Sequence, residues 1–561
     1  MGNIVSLFFG RCAVALAASL LCAPVIAQED LSTIAGQQLQ RQQQREEARR
    51  QQDEAAPDVR LQAPQPPLAG YPAAESPCFV INTIELEGEG ARDFQWTLRA
   101  AAPARGRCLG SDGINVLVGQ IQNALVARGY VTSRVVAASQ DLQDSQLVLT
   151  LVPGKIHAVR FAGAEPGHWA AALPAAPGDL LNLRAIEQGL ENFKRVPGAA
   201  ADIRIVPAEH PGESDLQVQW QGGRAYRFSL SADDSGSQST GAYQGGMTLS
   251  VDNPLGFQDL FYVTLNRNLP GDSPSGDYGT RGYAAHYSIP WRYWLFSAQI
   301  NDYRYHQSVA GASQDYIYSG DSVNSEIKAT RLVYRDAARK TTVSVRAFQR
   351  RSHNFIDDTE VEVQRRRMAG FVLGLGHREF IGRATLDVNL GWKIGTGHFG
   401  ALPAPEELFG EGTARPRMFN ADLALQLPLT SSLAWSASWR GQWNRTPLVP
   451  QDRFAIGGRY TVRGFDGESS LSAERGSLLR NDLVWSIPGS DQRLYAALDV
   501  GHVSGPGAAD LRGTRLSGAA LGWLFAWGRL QGDVFAGAPI SRPDGFRTAR
   551  VTTGFNLNFN Y

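Results

Sequence analysis

The sequence predicts a β-rich membrane protein: a transmembrane β-barrel of about sixteen strands, preceded by one helix and two small α+β domains. Three observations carry that reading. From Arg224 onward, segments of about 9–13 residues alternate apolar and polar side chains, joined by short turns and longer glycine-rich loops in turn. No apolar run of about 18 residues follows the N-terminus, which excludes helical membrane spans. The chain also holds 59 glycines and 12 tryptophans beside 54 basic and 54 acidic residues. That composition suits an aromatic-girdled barrel and implies no nucleic acid or other polyanionic partner.

In chain order, residues 1–27 read as a secretory signal: Arg11, the apolar run Cys12–Cys22, and small residues before Gln28. The mature chain therefore leaves the cytoplasm. Residues 28–54, including QLQRQQQREEARRQQDE, are helix formers that are polar on every face. They suit either a disordered tail or a helix in water-filled space. Residues 55–77, with Pro64, Pro66, Pro67 and Pro72, form an extended linker.

Residues 78–154 open with the strand pattern CFVINTIEL, continue with a helix carrying Ile114, Leu117, Val118, Ile121 and Leu125, and close on two strands. Cys78 and Cys108 are the only cysteines beyond the signal. In an oxidising compartment a bridge between them is the default, stabilising the domain by about 3–4 kcal/mol. Two buried free thiols are the alternative. Residues 155–222 repeat the order: strand Lys155–Ala162, helix Leu183–Val196, then strands Asp202–Pro207 and Asp215–Trp220.

In the barrel, residues 223–561, DLFYVTLNR sets Phe261, Val263 and Leu265 outward against Tyr262, Thr264 and Asn266. TLDVNLGWKIG repeats the pattern with Leu386, Val388, Leu390 and Trp392. Such strands face one apolar solvent and one polar one, lipid outside and a wet lumen within. Short turns at 253–258, 290–293, 336–340, 382–383, 429–432, 488–493 and 527–529 join about sixteen strands.

One connection, 444–474, is too long to be a mere link. Phe454, Ile456, Tyr460, Val462 and Phe465 give it a small core of its own. Val462, Arg463, Gly464 and Phe465 sit at its middle. In LYAALDVGHV, Asp499 lies on the lumen side with Tyr495, Ala497 and Gly501. A partner arginine is one reason for an isolated carboxylate there; a solvated lumen carboxylate is the other. Walker, HExxH, nucleophile-elbow and metal-spaced Cys/His patterns are absent. No catalytic residue, cofactor or metal is therefore expected.

GGRYTVRGF between two such strands resembles the sixth loop of the outer-membrane barrel superfamily that exports or inserts proteins. DNPLGFQDLFYVTLNRN and YSIPWRYWLF resemble that superfamily's first barrel hairpins. LLNLRAIEQGLENFKRVPG resembles the second POTRA (polypeptide-transport-associated) domain of two-partner secretion transporters, the TpsB family of hemolysin and filamentous-haemagglutinin exporters. The resemblance covers the whole mature chain. It implies an outer-membrane pore of a Gram-negative cell, with a plug helix at 28–54 and two POTRA-like domains in the periplasm. There the domains would bind the N-terminal secretion domain of an unfolded exoprotein, which crosses the pore without nucleotide hydrolysis.

The resemblance further implies that Arg463 reaches an acidic residue of a C-terminal strand; Asp499 is the expected partner and Asp482 the competitor. Leu183, Ile186, Leu190 and Phe193 of the second domain's helix, with Ile203 and Ile205 of its edge strand, are the expected substrate contacts. The last strand, ending on Tyr561, resembles the signal read by the barrel-assembly machinery. An insertase of the same superfamily is the alternative. Such proteins generally carry more periplasmic modules and lack the polar N-terminal segment.

Overall fold

Alternation of apolar and polar residues from Tyr226 to Asn560 closes into a sixteen-stranded antiparallel barrel in the computed structural model. The structure describes residues 34–47, 58–61, 70–271, 276–311 and 313–561. The signal 1–27, both ends of segment 28–54 and residues 55–57 and 62–69 of the linker lie outside the described residues.

The barrel closes where the last strand pairs with the first, in register from Asn556↔Asp233 to Asn560↔Ser229. Strict parity sorts the two faces. Leu249, Leu265, Ile327, Leu498 and Leu521 are exposed toward lipid, while Thr264, His286, Ser322, Gln442 and Asp499 are buried toward the lumen. Trp291, Trp485 and Trp527 stand exposed beside the short turns, which places amphipathic rings at the periplasmic membrane surface. The short turns fall where the sequence puts them: strands end at Asp252, Trp291, Arg335, Ile381, Pro428, Ser486 and Trp527.

Two α+β domains precede the barrel. In the first, helix Ser111–Ala127 covers a sheet in which Thr83–Gly88 runs parallel to Gln146–Val152 and Arg134–Val136 runs antiparallel. Ile84, Leu117, Ile121, Leu125, Leu147 and Leu149 form its core. The helix has no cap of its own. Glu75 supplies one from outside, accepting from the amides of Gly110 (2.8 Å) and Asp112 (2.9 Å). Those amide hydrogen bonds, led by Gly110, hold the Glu75 carboxyl below its ordinary value.

Arg107–Leu109, a strand not read from the sequence, pairs with Phe79–Ile81 in a small ribbon that sets Val80 opposite Cys108. Cys78 and Cys108 are disulfide-bonded, with Cα atoms 5.3 Å apart.

The second domain repeats the plan. Asn182 caps helix Leu183–Lys194 by accepting from Arg184 N at 2.8 Å. The sheet order is Lys155–Phe161, Glu213–Gln221, Ala200–Pro207, which leaves Ala200–Pro207 at one edge.

This domain docks on the barrel's periplasmic turns. His168 N donates to Gly256 O at 2.7 Å. The His168 ring stacks on Phe257, with centroids 4.2 Å apart. Asn192 Nδ2 donates to Arg292 O at 2.9 Å.

Candidate functional site: the lumen loop and its anchors

The loop between the strands Leu433–Asn444 and Arg475–Ser486 folds inward because its own residues pair and bury. Phe454–Ile456 and Leu471–Ala473 form an antiparallel ribbon that the sequence had not shown. Phe454, Ile456, Val462, Phe465, Leu471 and Ala473 pack against wall residues Leu478, Val503 and Leu516. Tyr460, expected in this core, is only half-buried and offers its carbonyl to Arg480 Nη1 at 3.4 Å.

The tip meets a wall thinned to receive it. Gly464 has φ +97°, and a Cβ there would lie 2.4 Å from Ala538 O. A Cβ on Gly518 would lie 2.0 Å from Arg463 O, and one on Gly501 2.8 Å from Val462 Cγ2. At Gly464 and Gly518 backbone therefore packs directly on backbone, and at Gly501 loop side chains pack on the wall backbone, which a Cβ would obstruct.

Arg463 bridges two strands. Its Nε donates to Asp499 Oδ2 at 2.7 Å, its Nη2 to Asp499 Oδ1 at 2.8 Å, and its main-chain N to Asp499 Oδ2 at 2.9 Å. Its Nη1 donates to Asp482 Oδ1 at 2.5 Å. The two acidic residues named as competitors thus hold one guanidinium together. Arg480 Nε stands 3.8 Å from the same Asp499 carboxylate, so two cations balance two anions. The Asp499 side chain is 0% exposed and that of Asp482 is 27% exposed. The bidentate contact fixes the plane of the guanidinium and hence the position of the tip.

Further anchors ring the loop. Asp452 binds Lys393 Nζ (2.7 Å) and Arg350 Nη1 (3.1 Å). Arg459 pairs with Asp234. Glu468 accepts from Gln238 N at 3.0 Å, and Asp466 from Ala549 N at 2.7 Å. Sequence reasoning missed these partners. The inward parity of Lys393 was the one available signal.

The helix at 34–47 lies against this loop inside the lumen. Gln40 Nε2 donates to Pro450 O (2.7 Å) and Arg453 O (3.1 Å), and Arg41 Nη2 to Gly467 O (2.5 Å). Arg45 pairs with Asp233 at 3.7 Å. Ala35 packs on wall tyrosines Tyr303, Tyr305 and Tyr318. A polar helix is stable here because its donors meet loop carbonyls and wall carboxylates. A residual cavity of about 220 Å³ remains between helix, loop and wall.

The six expected substrate contacts lie on the helix and edge strand that the sequence suggested, but the domain buries five of them. Ile186, Leu190, Phe193 and Ile203 are buried in the second domain's own core, half-buried Ile205 packs against it, and Leu183 is buried outside that cluster. The helix's apolar face is consumed by its own sheet. Its polar face docks on the barrel instead. Glu191 receives Lys340 Nζ at 2.5 Å and Arg335 Nη2 at 2.9 Å, and Glu187 receives Arg335 Nε at 2.9 Å.

The chain at 58–61 is bound into the same cluster. Leu61 N donates to Glu187 Oε1 at 2.8 Å and Val59 N to Glu191 Oε1 at 3.2 Å. Burial alone would raise the Glu191 carboxyl, but the Lys340 and Arg335 charges outweigh it and hold it below the ordinary range.

A sixteen-stranded outer-membrane barrel, filled by an arginine-tipped loop and a polar helix and fronted by two α+β domains, defines a polypeptide-transport pore. The family model described as haemolysin secretion/activation protein ShlB/FhaC/HecB matches residues 212–525, and the chain belongs to that family. A ShlB-type POTRA domain matches residues 79–154 and a further POTRA domain residues 155–207.

The chain is 34% identical over 530 residues to outer membrane transporter CdiB-2 of Burkholderia pseudomallei (strain 1026b), with 90% of each chain covered. It is 24% identical over 415 residues to hemolysin transporter protein HpmB of Proteus mirabilis, covering 73% of this chain and 72% of that one. The structure of CdiB from Acinetobacter baumannii matches with a TM-score of 0.83 at 29% identity, over 94% of this chain and 99% of that one. The protein is a two-partner secretion transporter of the outer membrane, with its POTRA domains in the periplasm.

Proposed function

We propose that the POTRA domains capture the N-terminal secretion domain of an unfolded exoprotein by strand addition at Ala200–Pro207. The exoprotein then crosses the lumen once the 34–47 helix has left it. The observation that carries this reading is the edge strand itself. An unpaired edge offers main-chain pairing to any extended client, and Asp202 and Arg204 on it are exposed. The docked helix Leu183–Lys194 contributes only after it leaves the barrel turns. Arg463 sets the position of the loop tip and therefore the width of the path. Transport uses no nucleotide, and folding of the exoprotein outside the cell supplies the direction.

A photo-crosslinking residue at Arg204 of the full-length transporter tests the capture step. It should trap the secretion domain during export, and one at His157 on the opposite edge strand should not. Crosslinks at His157 alone would reject the assignment.

A further inference from the structure

We infer that the outer wall, between the strands Leu260–Asn268 and Arg366–Ile381, is a binding site for a phosphate-bearing lipid of the outer leaflet. Two adjacent rows cross these strands at their loop ends. The upper row reads Arg267, Arg281, Arg304, Asp321, His353. The lower reads Leu265, Tyr283, Asp302, Val323, Arg351, Arg367. Parity puts all of them on the lipid side with exposed Leu265, Tyr283 and Leu373. The five arginines sit just above the apolar belt.

Arg267 faces Arg281, Arg281 faces Arg304, and Arg351 faces Arg367 directly across the ladder. Like charges opposed in this way disfavour the sheet. A multivalent anion bridging them reverses the sign. Within the two rows only Asp302, 3.4 Å from Arg304, and Asp321, 3.3 Å from His353, carry negative charge. The patch is therefore net positive.

A second observation selects a lipid over a soluble anion. Directly beneath the rows the wall is hollowed by Ala285, Ala298 and Ala347, leaving a groove of about 490 Å³ lined also by Phe261, Ile300 and Ile327. Phe399 overhangs it, held by Gln349 Nε2 donating to Phe399 O at 2.7 Å. The groove is apolar and of a size that seats an acyl chain, and the guanidinium forks above match phosphate geometry. A free phosphate would use the arginines and leave the groove empty.

Native mass spectrometry of the full-length transporter, titrated with bis-phosphorylated lipid A and with its dephosphorylated form, tests the site. The phosphorylated lipid should bind at least about tenfold more tightly, and less so as ionic strength rises. Arg267→Gln/Arg281→Gln/Arg351→Gln/Arg367→Gln should abolish the preference, and Ala298→Phe/Ala347→Phe should weaken both lipids. Heat-modifiable gel migration verifies barrel assembly. If the fourfold variant does not assemble, the Arg351/Arg367 pair alone is measured, with at least a threefold loss expected. Equal affinity for the two lipids, or unchanged preference in the arginine variants, overturns the inference. Competition by equimolar inorganic phosphate also overturns it, in favour of a simple anion site.

Discussion

Removing the Arg463 guanidinium should unseat the loop tip without emptying the lumen. Arg463→Ala loses the Nε and Nη2 bonds to Asp499 and the Nη1 bond to Asp482, and keeps only the main-chain N–H to Asp499. Asp499 has no exposed side-chain surface, so water cannot replace what is lost. Breaking a buried pair from one side costs about 3–5 kcal/mol. Arg480, 3.8 Å away, relieves part of that charge, which points to the lower end.

About 3 kcal/mol is about two decades in the ratio of seated to unseated tip. Asp482→Asn should cost only about 1 kcal/mol, because one bond is lost at a carboxylate that water reaches. Arg463→Lys should restore little, since one ammonium cannot span both carboxylate oxygens. The ribbon and its apolar core hold the rest of the loop. Amide exchange of residues 457–467 in the full-length protein reads the effect, alongside export at matched outer-membrane levels. Less than a threefold rise in exchange for Arg463→Ala, or an equal rise for Asp482→Asn, would refute this reasoning.

Gly518→Ala should mimic Arg463→Ala in both assays with the ion pairs chemically intact, because its Cβ would lie 2.0 Å from Arg463 O. Docking of the second POTRA domain should hold from neutral pH down to the ordinary glutamate value and loosen below it. Glu191 is held below its ordinary value, so its contribution is present above that value, about 4.3, and is lost as pH falls through the docked one. Limited proteolysis at 58–61 follows this, and Glu191→Gln should show the loosened pattern already at neutral pH. Deleting residues 34–47 should raise single-channel conductance and steady it; unchanged conductance would mean the helix does not obstruct the path. Cys78→Ser/Cys108→Ser should destabilise the first domain by about 3.5 kcal/mol for a bridge spanning 30 residues, seen as a lower unfolding midpoint on the full-length protein.

Period-two alternation, turn chemistry and the helical spacing of Leu117, Ile121 and Leu125 are local properties. The barrel, its sixteen strands and the α+β order of both domains could therefore be read from the chain alone. So could the inward direction of Asp499, because parity on a strand fixes which solvent a side chain meets.

Closure decided the rest. Gln40 meets Pro450 across 410 residues, and Gln238 meets Glu468 across 230; no local pattern encodes such distances. The helix Leu183–Lys194 shows the limit most plainly. Its apolar stripe reads the same whether it faces a client or its own sheet, and only the packed domain shows that Ile186 and Phe193 are core. Its polar stripe reads as solvated surface until the barrel brings Arg335 and Lys340, 148 and 149 residues away, onto Glu187 and Glu191. Periodicity determines which residues share a face, and tertiary structure determines what that face meets.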